Sequence, residues 1–227
     1  MPTTASPPPT ADDSVMAVFD THSSERVFAG VVATVRVDEV QMPGGDVARR
    51  EVVEHALAVA VVAVDDLDRV ILIEQYRHPL GHRLWELPAG LMDVAEEPAL
   101  LAVQRELGEE TGLAAARWDL LVDLAVSPGF TTEAVRVFLA RQLSEVGRQG
   151  AIQHEEADLR MVRVPLAEAV AAVLDGRIVN ASAVAGILAA DRALSGAHPL
   201  RPAGEPWTSG PAIESADRPD LTPDPHW

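Results

Sequence analysis

The chain has 227 residues, of which 35 are acidic and 18 basic, for a net charge of −17. A hydrophobic share of 48% and a charged share of 23% are those of an ordinary globular protein, so wholesale disorder, collagen and disulfide scaffolds are excluded. With neither cysteine nor lysine present, so are thiolate zinc sites, a cysteine nucleophile, a lysine Schiff base and a Walker-type phosphate loop.

The same acidity repels a phosphate backbone over most of the surface, so no nucleic-acid partner is expected. The stretch 1–14 has neither the basic start nor the apolar core of a secretory signal. Ala56 to Val64 is the longest apolar run and falls well short of the about 20 residues that cross a membrane, so no membrane partner and a cytoplasmic protein are expected. Prolines crowd both ends, and 1–14 and 197–227 read as flexible tails around a domain at 15–196. Trp207 and Trp227 are costly to leave in water, which keeps open the alternative that part of the C-terminal segment docks on the body or on a partner.

β-Branched runs bounded by turn residues predict strands at 26–40, 49–55, 57–64, 69–76 and 83–87. A helix over 97–111 follows, with Leu100, Leu101, Val103 and Leu107 on one side and Gly112 as its stop. Strands at 120–126, 135–140 and 159–164 come next, then helices at 165–174 and 181–194. Strands grouped around helices, without regular alternation, predict an α+β sandwich with a mixed sheet.

On the helix, Glu106, Glu109 and Glu110 stand at i, i+3 and i+4, so their carboxylates converge. An E-x-x-E-E on a helix is ordinarily a solvated acidic face. Here it sits in a longer pattern, Gly90, Glu97, Arg105-Glu106-Leu107, Glu109-Glu110 and Gly112-Leu113. Clustered anions repel unless a cation sits among them, and oxygen-only ligands favour magnesium or manganese over zinc.

This segment resembles the Nudix box, a loop–helix–loop that binds divalent cations and hydrolyses diphosphates linked to another moiety. One departure is visible: the usual spacing puts the box glycine at position 91, which is Leu91, so the loop between Gly90 and Glu97 is one residue longer. The resemblance implies an α/β/α Nudix sandwich in which Glu106 and Glu110 are direct ligands of Mg²⁺ or Mn²⁺, Glu109 is a ligand or a water-holder, and the Ala89 carbonyl completes a coordination position. Arg105 then orients the glutamates.

Over 26–195 the chain is similar to the ADP-ribose pyrophosphatases of this superfamily, through Arg50-Glu51, Gln75-Tyr76-Arg77, Trp85-Glu86-Leu87-Pro88-Ala89-Gly90 and Ser127-Pro128-Gly129-Phe130. The implied activity is cleavage of ADP-ribose to AMP and ribose 5-phosphate, in a homodimer whose N-terminal strands lend Arg50 and Glu51 to the partner's site. Arg77, whose guanidinium forks onto phosphate oxygens, is the expected diphosphate ligand. Leu91, Gly129, Phe130 and Glu133 are expected near the substrate, with the Gly129–Phe130 loop free to close. Glu155, in the acidic run 153–158, is the expected general base, with Glu156 one residue away and Glu109 the next candidate. Another nucleoside diphosphate sugar as substrate, and a non-catalytic ADP-ribose-binding sensor, remain as alternatives.

Overall fold

The structure, a computed structural model, describes residues 19–94, 96–148 and 159–207. Its strands in chain order are β1 (Thr21–Ala29), β2 (Ala33–Gln41), β3 (Val47–His55), β4 (Ala58–Ala63), β5 (Arg69–Arg77), β6 (His82–Glu86), β7 (Ala89–Leu91), β8 (Leu113–Ala125), β9 (Ala134–Glu145), β10 (Arg160–Pro165) and β11 (Arg201–Pro202). The helices are α1 (Ala99–Thr111), α2 (Leu166–Leu174) and α3 (Ala181–Leu194).

The central sheet runs β11-β8-β9-β4-β7 and is mixed, β4 lying parallel to β9 while β8 and β7 are antiparallel to their neighbours. All six residues of β4 are buried, because both faces of the sheet are covered, and an unbroken apolar run suits such a strand. On one face Ala102, Val103 and Leu107 of α1 pack against Val59, Val61 and Phe138. On the other, Ala183, Ile187 and Ala190 of α3 meet Ala60, Val62 and Val137. A second sheet, β10-β5-β6, adds Val70 and Leu72 to that face, completing the predicted α+β sandwich. The third sheet, β1-β2-β3, leaves Val27, Phe28, Val31, Val32 and Val47 exposed.

Several elements depart from the sequence reading. The single strand expected at 26–40 is two, because Gly30 breaks the β-branched run and its amide closes a turn onto the Ala33 carbonyl at 3.0 Å. β8 starts at Leu113 rather than 120: alanine is a poor strand former, but pairing with β9 from Leu113↔Glu145 onward overrides that preference. The C-terminal segment is no tail as far as Trp207, since Arg201 and Pro202 pair with Leu120 and Asp119 of β8 and the Arg136 guanidinium lies 4.9 Å above the Trp207 ring. Docking of Trp207 on the body is therefore the alternative the structure follows. Trp227 lies outside the described residues.

Candidate active site

α1 begins after Pro98 and stops at Gly112, whose φ of 71° lets its amide reach the Gly108 carbonyl at 3.0 Å. Burial of Val103 and Leu107 on the sheet fixes the helix rotation, which brings Glu106 and Glu110 towards β7, only 9% and 6% exposed. Gly90 on β7 makes room for them. A Cβ there would lie within 2.5 Å of the terminal atoms of the Glu106 carboxylate, so no other residue fits without displacing it. Gly90 therefore performs the close approach, and the extra loop residue falls between it and the helix, leaving the carboxylates in register. The Ala89 amide donates to the Glu110 carboxylate at 2.9 Å.

The three glutamates are not a bare anionic cluster, as the spacing alone suggested. Arg105 donates to Glu106 at 2.6 Å, to Glu109 at 3.1 Å and to Glu97 at 3.1 Å, with Asp93 at 3.8 Å. One guanidinium, held above its ordinary pKa first by the hydrogen bond with Glu97, thus meets four carboxylates. Burial pushes the Glu106 pKa above the ordinary 4.5, against the pull of Arg105 and with the like charges of Glu109 and Asp93 adding to the rise.

These residues stand at an open cleft of about 840 Å³. Glu106, Glu110, Ala89, Gly90, Leu91, Arg77 and Glu133 line it; Glu109, paired with Arg105, does not. Arg77, at the end of β5, is gripped by Glu86 of β6 through two bonds, Nε to Oε1 at 2.9 Å and Nη2 to Oε2 at 2.8 Å. Glu86 is only 3% exposed, so this fork sets the guanidinium plane rigidly at the cleft wall. A second cavity of about 640 Å³ lies beside Trp85, on the other face of β6, and is lined mainly by apolar side chains such as Leu72, Val162, Val164 and Ile178.

Arg50 and Glu51, expected to serve a partner's site, are exposed on β3 and do not line this chain's cleft; Gly129 and Phe130 are exposed and do not line it either. Nor does the Gly129–Phe130 loop hang free to close: the Val53 amide donates to the Phe130 carbonyl at 2.7 Å, the Thr132 amide to the Val53 carbonyl at 3.0 Å and the His55 amide to Thr132 Oγ1 at 3.0 Å. Main-chain pairing to β3 fixes it. Glu155 and Glu156 lie outside the described residues.

Sequence reasoning missed His55, Asn180 and Ser182, all of which line the cleft. The Nδ1 of His55 is 2.9 Å from the Ala56 carbonyl, which can only accept, so Nδ1 carries the proton. No local spacing signals His55, but Asn180 is legible as the N-cap of α3, accepting from the Ala183 amide at 3.0 Å.

The NUDIX domain model matches residues 54–185. The chain belongs to the Nudix family. An ADP-ribose pyrophosphatase of Mycobacterium tuberculosis is 51% identical over 200 residues, covering 88% of this chain and 96% of the relative. An ADP-ribose pyrophosphatase of Bacillus subtilis is 37% identical over 161 residues, covering 71% and 86%. A crystal structure of an ADP compounds hydrolase superposes with a TM-score of 0.70 at 24% identity, over 79% of this chain and 95% of that one, and so shares the fold.

Nudix hydrolases depend on a divalent metal, and the residues here suit one: hard carboxylate oxygens of Glu106 and Glu110, a glycine cradle at Gly90 and an excess of negative charge around Arg105. Among the described residues no three His, Asp or Glu side chains already converge as a ready cage. Glu106 and Glu109 face Arg105 instead. No described helix is long and apolar enough to cross a membrane.

Proposed function

We propose that this Nudix hydrolase cleaves the diphosphate of ADP-ribose to AMP and ribose 5-phosphate, in the cytoplasm, with Mg²⁺ as its metal and Mn²⁺ as a substitute. The observation that carries the reading is one cleft holding both Glu106 and Glu110 and an arginine, Arg77, locked by a buried glutamate. The names of the mycobacterial and Bacillus relatives supply the nucleoside diphosphate.

Arg77 binds non-bridging phosphate oxygens, and Glu86 keeps its plane in place so that little ordering remains when substrate arrives. Glu106 and Glu110 hold the metal, and Arg105 positions Glu106 and Glu109 through its ion pairs. When bound, the metal screens the diphosphate charge and acidifies water. Glu155 takes the proton from the attacking water; the P–O–P anhydride breaks as the new P–O bond forms. His55, Leu91 and Glu133 contact the substrate beside the diphosphate.

The chain works as a homodimer. Its N-terminal sheet exposes Val27, Phe28, Val31 and Val32, an apolar set that a second copy would cover, and the same sheet carries Arg50 and Glu51 towards the partner's site, with Gly129 and Phe130 pinned at its edge. The test is turnover of ADP-ribose, GDP-mannose, NADH and diadenosine polyphosphates with Mg²⁺ and with chelator. Preference for ADP-ribose, lost with chelator, is expected. A tenfold preference for another nucleoside diphosphate would reassign the substrate, and metal-independent turnover would sink the mechanism.

A further inference from the structure

Glu110, near the end of α1, is held from two sides. Its carboxylate accepts the Ala89 amide at 2.9 Å, and its main-chain carbonyl accepts two bonds from one guanidinium, Arg148 Nε at 3.0 Å and Nη2 at 2.6 Å. Carbonyls in the last turn of a helix have no partner within it and carry its negative pole, and an arginine fork satisfies both needs. The chain after β9 delivers that fork: the Val146 amide donates to the Gly112 carbonyl at 2.9 Å. A Cβ at residue 112 would come within 2.9 Å of the Arg148 nitrogen and 3.0 Å of the Gly147 carbonyl carbon. Glycine at 112 thus serves the approach of residues 147–148 as well as the helix stop. Arg148 does not line the cleft.

We propose that Arg148 is a positioning residue for the metal site, fixing the main chain of Glu110 from behind while Ala89 fixes its carboxylate in front. The inference rests on the reading of Glu106 and Glu110 as metal ligands. With both ends held, the carboxylate keeps one direction towards the cleft; with the rear grip gone, the last turn of α1 frays and the carboxylate spreads over several directions. An arginine that only capped the helix would add stability and leave metal affinity alone.

Mn²⁺ titrated into the metal-free protein and read by EPR separates the two, alongside kcat, KM and melting temperature. Arg148→Gln is expected to weaken Mn²⁺ binding about 10-fold or more, with turnover recovering towards wild type at excess metal and KM for substrate little changed. Arg148→Lys keeps the charge but loses the fork, so its affinity should fall between the two; wild-type affinity in this variant overturns the proposal even if the glutamine variant fails to fold. Wild-type affinity in Arg148→Gln beside lost affinity in Glu110→Gln also overturns it, leaving Arg148 as a helix cap. If Glu110→Gln itself binds Mn²⁺ like wild type, the metal-site reading and this proposal fall together.

Discussion

Arg105 and Arg136 each gather acidic groups, with opposite results. Arg105, 31% exposed, faces Asp93, Glu97, Glu106 and Glu109, one positive charge against four negative ones. Arg136, 4% exposed, pairs with Asp123 at 2.7 Å and gives further donors to the Glu205 and Pro206 carbonyls. Arg201 completes that second network, 3.5 Å from Asp123 and 3.0 Å from Glu205, so two arginines balance two carboxylates. A network that closes on itself holds β11 and Trp207 to the body. The other carries surplus negative charge, which a divalent cation would balance under the proposed function, so charge balance, rather than the number of ion pairs, separates the two networks.

Glu110→Gln keeps an oxygen for the Ala89 amide but removes an anionic ligand, so turnover should fall roughly 10²–10⁴-fold while the metal-free protein melts no earlier than wild type. Relief of repulsion should raise its melting temperature slightly. Unchanged kcat at limiting Mg²⁺ would remove Glu110 from the site.

Arg136→Ala tests the other network. It removes the 2.7 Å partner of Asp123, leaving Arg201 at 3.5 Å, and undercuts the 200–207 segment, so it should cost about 1.5–3 kcal/mol in urea unfolding. Activity assayed well below its melting point should stay within a few-fold of wild type. A folded variant with turnover down a hundredfold would show that this network also serves the site.

How far these roles can be read from sequence follows from their range. The Glu106, Glu109 and Glu110 register is set by helix periodicity, and the ends of α1 and α3 by Gly112 and Asn180, all within a few residues. The neutralising role of Arg105 was half visible: its bond to Glu109 is a helix-neighbour contact, but the bonds to Glu97 and Asp93 depend on how the loop folds back. Gly90 could be named as the box glycine, though not as the residue against Glu106, because that contact joins β7 to α1. Arg136 carried no local sign at all. A charged residue within the alternating run of β9 reads as an outward position until Asp123 and Glu205 are brought to it.

Mg²⁺ itself offers a smaller effect that sharpens the contrast. A ligand that binds only the folded state stabilises it by about 2.7 kcal/mol at a hundredfold excess over its Kd. Wild type should therefore melt higher with Mg²⁺ than with chelator, and Arg136→Ala should keep that increment although its baseline is lower. Glu110→Gln should lose most of it. An increment retained in Glu110→Gln would place the stabilising ion elsewhere.

The smallest effect belongs to a balanced pair in miniature, Asp65 with Arg69 in the turn between β4 and β5. The Asp65 carboxylate accepts the amides of Leu67 and Arg69, each at 3.0 Å, and pairs with the Arg69 guanidinium at 2.7 Å. Burial works to raise its pKa, but the Arg69 side chain and the two amides together outweigh that and hold it below the ordinary 3.8. A folded-state pKa below the unfolded one means that the charged form stabilises: the contribution is whole above pH 3.8 and drains away as pH falls through the folded value. Asp65→Asn preserves an oxygen for the amides and removes only the charge, so it should cost about 0.5–1 kcal/mol near neutral pH. Urea unfolding from pH 6 down to pH 3 should show that gap narrowing only below 3.8, the reverse of Glu106, whose raised pKa makes its charge a burden that grows as pH climbs above the ordinary 4.5. A gap independent of pH would mean that Asp65 acts through turn geometry alone.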